Sequence, residues 1–307
     1  MKSDFFQKKG TAIKQLAEVL IVMQPGEKLP IVSVLQENLG ISRGTVQNAL
    51  QFLKDQDAIV LVSRGHLGNY LTSINHRILQ QYAGTDELFG TMPLPYSRIY
   101  EGLATALYDT LNAQGVRLNM AYIRGSNDRL QSVVRGMYQF AIVSKYAARR
   151  SIEMGESLKI IADLGKYSYL SQHILLLKNP NATTIVAGDR VGIDMSSIDQ
   201  KELTHILTAN TKVSYINLPG HQLIHEIELG RIDAGVWNYD EIIEKNYEHL
   251  NYQLISDMAI SEEVSTAVIV CNQSDILVQT VLEKNIDTIK ILQIQQDVKK
   301  GKIIPRY

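Results

Sequence analysis

Three segments of the chain carry residue types suited to holding a small polar molecule. Arg124-Gly125-Ser126-Asn127 follows a strand-like apolar run ending at Tyr122, Asp194-Met195-Ser196-Ser197 follows one ending at Ile193, and Trp237-Asn238-Tyr239 closes a third. In open α/β halves a ligand binds beyond the carboxyl ends of strands, where the first N–H groups of the next helix are unpaired and favour negative charge. The hydroxyls of Ser126, Ser196 and Ser197, the amides of Asn127 and Asn238 and the indole of Trp237 are therefore the expected ligand contacts, with Ser144 and Tyr169 as additions. A small polar metabolite bearing a carboxylate or phosphate suits that set.

Other chemistries find little support. His221 and His225 are one helical turn apart beside Glu226, a spacing able to hold a divalent metal, but no third ligand is near in sequence and neither HExxH nor its inverse occurs. A Walker loop, a Rossmann glycine fingerprint and GxSxG are all missing. The single cysteine, Cys271, excludes an intrachain disulfide and a multi-thiolate zinc site, as expected of a reducing compartment. No enzyme, metal or cofactor is expected. The alternative left open is an enzyme or pure binding module using the same residues, with the first domain serving only for dimerisation.

Elements must position these residues, and 307 residues are enough for two domains. Hydrophobic residues make up 45% and charged residues 21%, near the globular average, so disordered and low-complexity classes are excluded. The longest apolar run, Val19 to Met23, falls far short of the roughly 20 residues of a membrane helix, and Asp4 stands where a signal peptide turns apolar. A cytoplasmic protein without membrane contact is expected. The net charge is −1, yet residues 1–76 hold eight basic against six acidic residues, a sign compatible with nucleic-acid binding.

Within residues 1–74, Ile13, Leu16, Ala17 and Leu20 recur at helical spacing, and Gln24-Pro25-Gly26 ends the pattern. A short second helix carries Ile31, Leu35 and Leu39 on one face, with Ser33 and Gln36 at capping-box spacing and Gly40 as its stop. Ser42 is placed to cap a third helix whose core face is Val46, Ala49, Leu50 and Leu53, leaving Arg43, Gly44, Gln47, Asn48, Gln51 and Lys54 opposite. Two short strands, Ile59 to Val62 and Asn69 to Thr72, flank a glycine-containing basic tip. Three helices and a basic hairpin make a winged helix, whose third helix enters the major groove while the hairpin lies on the backbone.

The string Gly26-Glu27-Lys28-Leu29-Pro30, Leu39-Gly40-Ile41-Ser42-Arg43-Gly44-Thr45-Val46-Gln47-Asn48-Ala49-Leu50 and Arg64-Gly65 resembles the GntR-type winged-helix domain. The expected contacts to double-stranded operator DNA are Ser42, Arg43, Thr45, Gln47 and Asn48 on the third helix and Arg64, Gly65 and His66 on the wing. Ile31 and Ser33 replace the usual polar cap and arginine of helix 2, and Gln47 replaces a usual arginine, so those positions offer fewer cations to phosphates and bases.

Around residues 83–97 the apolar period lapses among Gly84, Gly90, Pro93 and Pro95, and a linker over 75–97 is expected. Over 98–307 strand-like and helical patterns alternate as βαβ units. Residues 124–143 echo residues 219–237, each a loop, a helix, a glycine stop and a short strand. This resembles the type 2 periplasmic-binding-protein fold, used also by effector domains of LysR-type regulators. Residues 159–178 and 252–271 are then the two crossings between halves. The expected class is α/β, an N-terminal winged helix-turn-helix followed by a two-lobed ligand-binding domain. A GntR-type head on such a body resembles the YhfZ family, which implies a transcription factor; because one winged helix reads only a half-site, a homodimer is expected, and the cleft makes it a ligand-responsive one.

Overall fold

The computed structural model describes residues 2–247, 249–255 and 259–307. Residues 1–88, 111–117 and 275–285 cluster into one compact unit, and residues 89–110, 118–274 and 286–307 into another.

In the first unit α1 (Lys2–Ile21) buries the predicted stripe Ile13, Leu16, Ala17 and Leu20. α2 (Val32–Leu39) stops at Gly40, whose φ of +65° suits glycine. The capping box expected at Ser33 does not form. Ile31 is the N-cap and its carbonyl accepts from the amides of both Val34 and Leu35, so the helix starts before the serine could cap it. α3 (Arg43–Asp55) begins as expected, with Ser42 Oγ accepting from the Thr45 amide at 3.2 Å, and buries Val46, Ala49, Leu50 and Leu53. β1 (Ile59–Ser63) and β2 (Asn69–Ile74) pair antiparallel around a single 3-10 turn at Gly65–Leu67. α4 (His76–Ala83) packs on α1, as does a helix over Ile276–Asn285.

The segment expected as a linker is thus largely structured, carrying α4 and then β3 (Glu87–Met92). The pattern is hard to see in sequence because Gly90 replaces a side chain in the strand: a Cβ there would lie 2.2 Å from the Phe140 ring.

Beyond β3 come α5 (Arg98–Ala113), β4 (Arg117–Tyr122), α6 (Ser126–Val134), β5 (Phe140–Ser144), α7 (Lys145–Glu153) and β6 (Leu158–Asp163). A second series follows: β7 (His173–Leu177), β8 (Arg190–Ile193), α8 (Ile198–Thr208), β9 (Ser214–Asn217), α9 (Leu223–Glu228), β10 (Ala234–Asn238), α10 (Tyr239–Glu244) and β11 (Asn251–Leu254). α11 (Ser261–Ser265), β12 (Ala267–Asn272), α12 (Ile276–Asn285) and α13 (Thr288–Lys299) complete the chain.

Two five-stranded sheets result, ordered β4-β3-β5-β12-β6 and β11-β7-β10-β8-β9. The chain passes from the first to the second between β6 and β7 and returns between β11 and β12, inside the two segments expected to cross. Both sheets are mixed: β3 and β5 run parallel while β12 is antiparallel to β5, and β8 runs parallel to β9 and β10 while β7 is antiparallel to β10. The run Ile174-Leu175-Leu176-Leu177 in β7 feeds cores on both faces of its sheet, Ile174 and Leu176 meeting Trp237 and Leu223, Leu175 and Leu177 meeting Val191 and Leu203. Each sheet with its helices is one lobe, and the strand ends that carry the polar loops point into the cleft between them.

Candidate functional site

Two surfaces carry chemistry. On α3 the side chains of Arg43, Gln47, Asn48 and Gln51 are exposed opposite the buried stripe, and Gly44 between them leaves the backbone open. Ser42 and Thr45 are partly committed to the helix start, their hydroxyls 2.8 Å apart. On the wing, the Arg64 guanidinium lies 4.3 Å from the centre of the Tyr70 ring, which orients it, and Gly65 takes φ +58° to make the turn before exposed His66.

The second surface is the cleft, which encloses a cavity of about 90 Å³. Ser126, Ser197, Trp237 and Asn238 line it, as does Tyr169. Asn127, Ser144 and Ser196 are not among the lining residues. Asn127 is exposed, Ser144 Oγ donates to Asp199 Oδ1 at 2.7 Å, and Ser196 Oγ donates to Asp194 Oδ1 at 2.6 Å. His221 lines the cavity too, and among the described residues no group of three His, Cys, Asp or Glu is placed to hold a metal.

The strongest charges in the cavity wall are ones that local spacing does not single out. Arg129, only 3% exposed, donates from Nε to the Ile142 carbonyl at 3.0 Å, from one terminal nitrogen to the Ile123 carbonyl at 2.7 Å and from the other to Tyr169 Oη at 2.8 Å. All three acceptors are neutral, so its charge is balanced only at longer range. Asp199 is equally buried, and burial pushes its carboxyl up to about 7 against the opposing pull of the Ser144 hydrogen bond and the Arg129 charge. Burial likewise pushes the His173 imidazole down to about 4. Among the described residues His173 Nδ1 is buried without a hydrogen-bond partner, whereas the Asn238 side chain is hydrogen-bonded to Tyr96. The one available signal for Arg129 and Asp199 was a charge lying beside the apolar residues of an amphipathic helix.

Aromatic packing shapes the rest. Tyr96 from the first lobe stacks on Trp237 from the second at 5.9 Å, and Trp237 Nε1 donates to Glu241 at 2.9 Å. Asp194 accepts from the Gly220 amide at 2.8 Å and lies 3.8 Å from an Arg124 terminal nitrogen. A Cβ on Gly220 would come within 2.7 Å of the Trp237 ring, so only glycine admits the indole there.

An exposed third helix with a wing, and a two-lobed α/β domain around a cavity, define a helix-turn-helix protein with a periplasmic-binding-protein-like body. Residues 24–71 match a helix-turn-helix domain family and residues 75–307 match the YhfZ C-terminal domain. The chain belongs to the YhfZ family. It is 29% identical to the uncharacterized protein YhfZ of Escherichia coli (strain K12) over 307 residues, covering the whole of both. Among solved structures it is similar to YhfZ from Shigella flexneri, with a TM-score of 0.63 and 29% identity over 75% of this chain and 97% of that one. An amino acid ABC transporter substrate-binding protein, AbpA from Streptococcus pneumoniae, solved with L-arginine, matches at a TM-score of 0.50 and 18% identity over 72% and 98% of the two chains, a likeness of fold. Among the described residues no helix is long and apolar enough to cross a membrane.

Proposed function

We propose that this chain is a cytoplasmic, homodimeric transcriptional regulator whose GntR-like head binds operator DNA and whose cleft senses a small polar or anionic metabolite. The observation that carries the sensing is the buried cation Arg129, whose three hydrogen-bond acceptors are all neutral, in a cavity wall that also presents His173 Nδ1 without a partner among the described residues. Buried polar groups without partners are costly, and a ligand that supplies acceptors and negative charge relieves them. Arg129, Ser126, Ser197, Trp237 and Asn238 are its contacts in this reading, with Arg124 at the mouth. On the head, Arg43 and Arg64 meet phosphates, Gln47 and Asn48 read base edges, and Ser42, Thr45, Gly65 and His66 set the approach of the backbone.

The test is a thermal-shift screen of polar metabolites on the full chain, followed by titration of its own promoter fragment with and without each hit. A ligand at 100 times its dissociation constant stabilises by about 2.7 kcal/mol. A hit that also changes promoter affinity supports the reading. A hit that is chemically turned over, or a chain that ignores its promoter at low salt, supports the enzyme or binding-module alternative instead.

A further inference from the structure

We infer that the cleft latches itself without a ligand, through a clasp in which each lobe caps the leading helix of the other. α6 and α8 start on opposite lobes and face each other. Ser126 Oγ, at the start of α6, accepts from the Ile198 amide at the start of α8 at 3.0 Å. In return the Asn127 amide donates to the Ser196 carbonyl at 3.0 Å. The first N–H groups of a helix have no partner within it, so each of these bonds satisfies a donor that an open cleft leaves to water.

Three more bonds extend the seam. Ser144 at the end of β5 donates to Asp199 on α8 at 2.7 Å, and the Glu244 carboxylate of α10 accepts from the Arg98 amide at the start of α5 at 2.8 and 3.0 Å.

The closeness of the lobes is gauged by one residue. Gly125 has φ +75°, and a Cβ built on it would lie 2.4 Å from Ser196 Oγ and 2.7 Å from the Ser196 carbonyl oxygen across the cleft. Any side chain at 125 therefore holds the lobes apart. The clasp also occupies the Asn127 and Ile198 amides, the donors that an anion at a helix N-terminus would use. An effector that reaches them must displace the clasp, so the resting state is closed and such an effector opens it. This consequence rests on the reading of the cleft as a sensor; the latch does not.

Trp237 is the sole tryptophan of the chain and stacks across the cleft on Tyr96, so its emission reports closure directly. The experiment compares full-length wild type, shown free of small molecules by native mass spectrometry, with G125V and with S126A/S144A. Emission maximum and small-angle scattering are the readouts, and far-UV circular dichroism checks folding. Wild type is expected to be blue-shifted and compact, and G125V red-shifted and expanded. S126A/S144A should lie between, each missing hydrogen bond lowering the closed-to-open ratio about fivefold. Wild type and a folded G125V that agree in both readouts overturn the latch. Should G125V fail to fold, a double variant indistinguishable from wild type overturns it. Neither DNA nor metabolite enters the measurement, so its failure and the failure of the sensing reading are seen separately.

Discussion

The head and the cleft reach function by opposite routes. The residues proposed to meet DNA come from one helix and one hairpin within 25 positions of sequence, and nearly all of them are left exposed. The cleft draws its wall from residues between Pro93 and Asn238, and its distinctive groups, Arg129, His173 and Asp199, are buried. An exposed face costs a fold little to keep, whereas buried charge must be compensated by the fold itself. Substitutions in the two regions should therefore fail differently, the head through binding and the cleft through stability.

The largest effect is expected from R129M. It leaves the Ile142 and Ile123 carbonyls and the Tyr169 hydroxyl without their donor and removes the charge that balances Asp199, costing about 3–5 kcal/mol. A urea midpoint close to wild type would erase the contrast. R43A/R64A should do the reverse, leaving the urea midpoint within about 0.5 kcal/mol because both side chains are exposed. Promoter affinity, by fluorescence anisotropy, should fall by about two orders of magnitude, and the slope of log affinity against log salt should drop by roughly 0.9 for each phosphate no longer neutralised.

The cleft should also carry pH dependence. His173, lowered to about 4 from the usual 6.5, contributes stability that is present above 6.5 and lost as pH falls toward 4. Asp199, raised to about 7, contributes stability that is present below the usual carboxylate range near 4 and lost as pH rises through 7. The two slopes oppose each other in wild type. D199N should leave only the acid-side loss and H173N only the loss on raising pH, read as urea midpoints between about pH 4.5 and 7.5. Matching slopes in the two variants would contradict this assignment. The smallest effect belongs to S42A, which removes the cap on the Thr45 amide and should cost about 1 kcal/mol with a modest drop in promoter affinity.

The cap at Ser42, the stripe of Val46, Ala49, Leu50 and Leu53, the hairpin and the strands β4, β5, β8, β9 and β10 were determined by the sequence itself, because each depends on residues a few positions apart. The same held for the polar loops at the strand ends and for Trp237 and Asn238, which line the cavity. Only the tertiary structure decided what those loops touch. Ser126 lies 72 positions from the Ile198 amide it caps and Ser144 lies 55 from Asp199, so hydroxyls that look like free anion ligands one loop at a time also bond across the cleft. The structure likewise decided that Arg129 and Asp199 sit in the wall: their helices show only a charge beside an apolar stripe, and Arg129 is buried against two carbonyls 6 and 13 positions away and a hydroxyl 40 positions away.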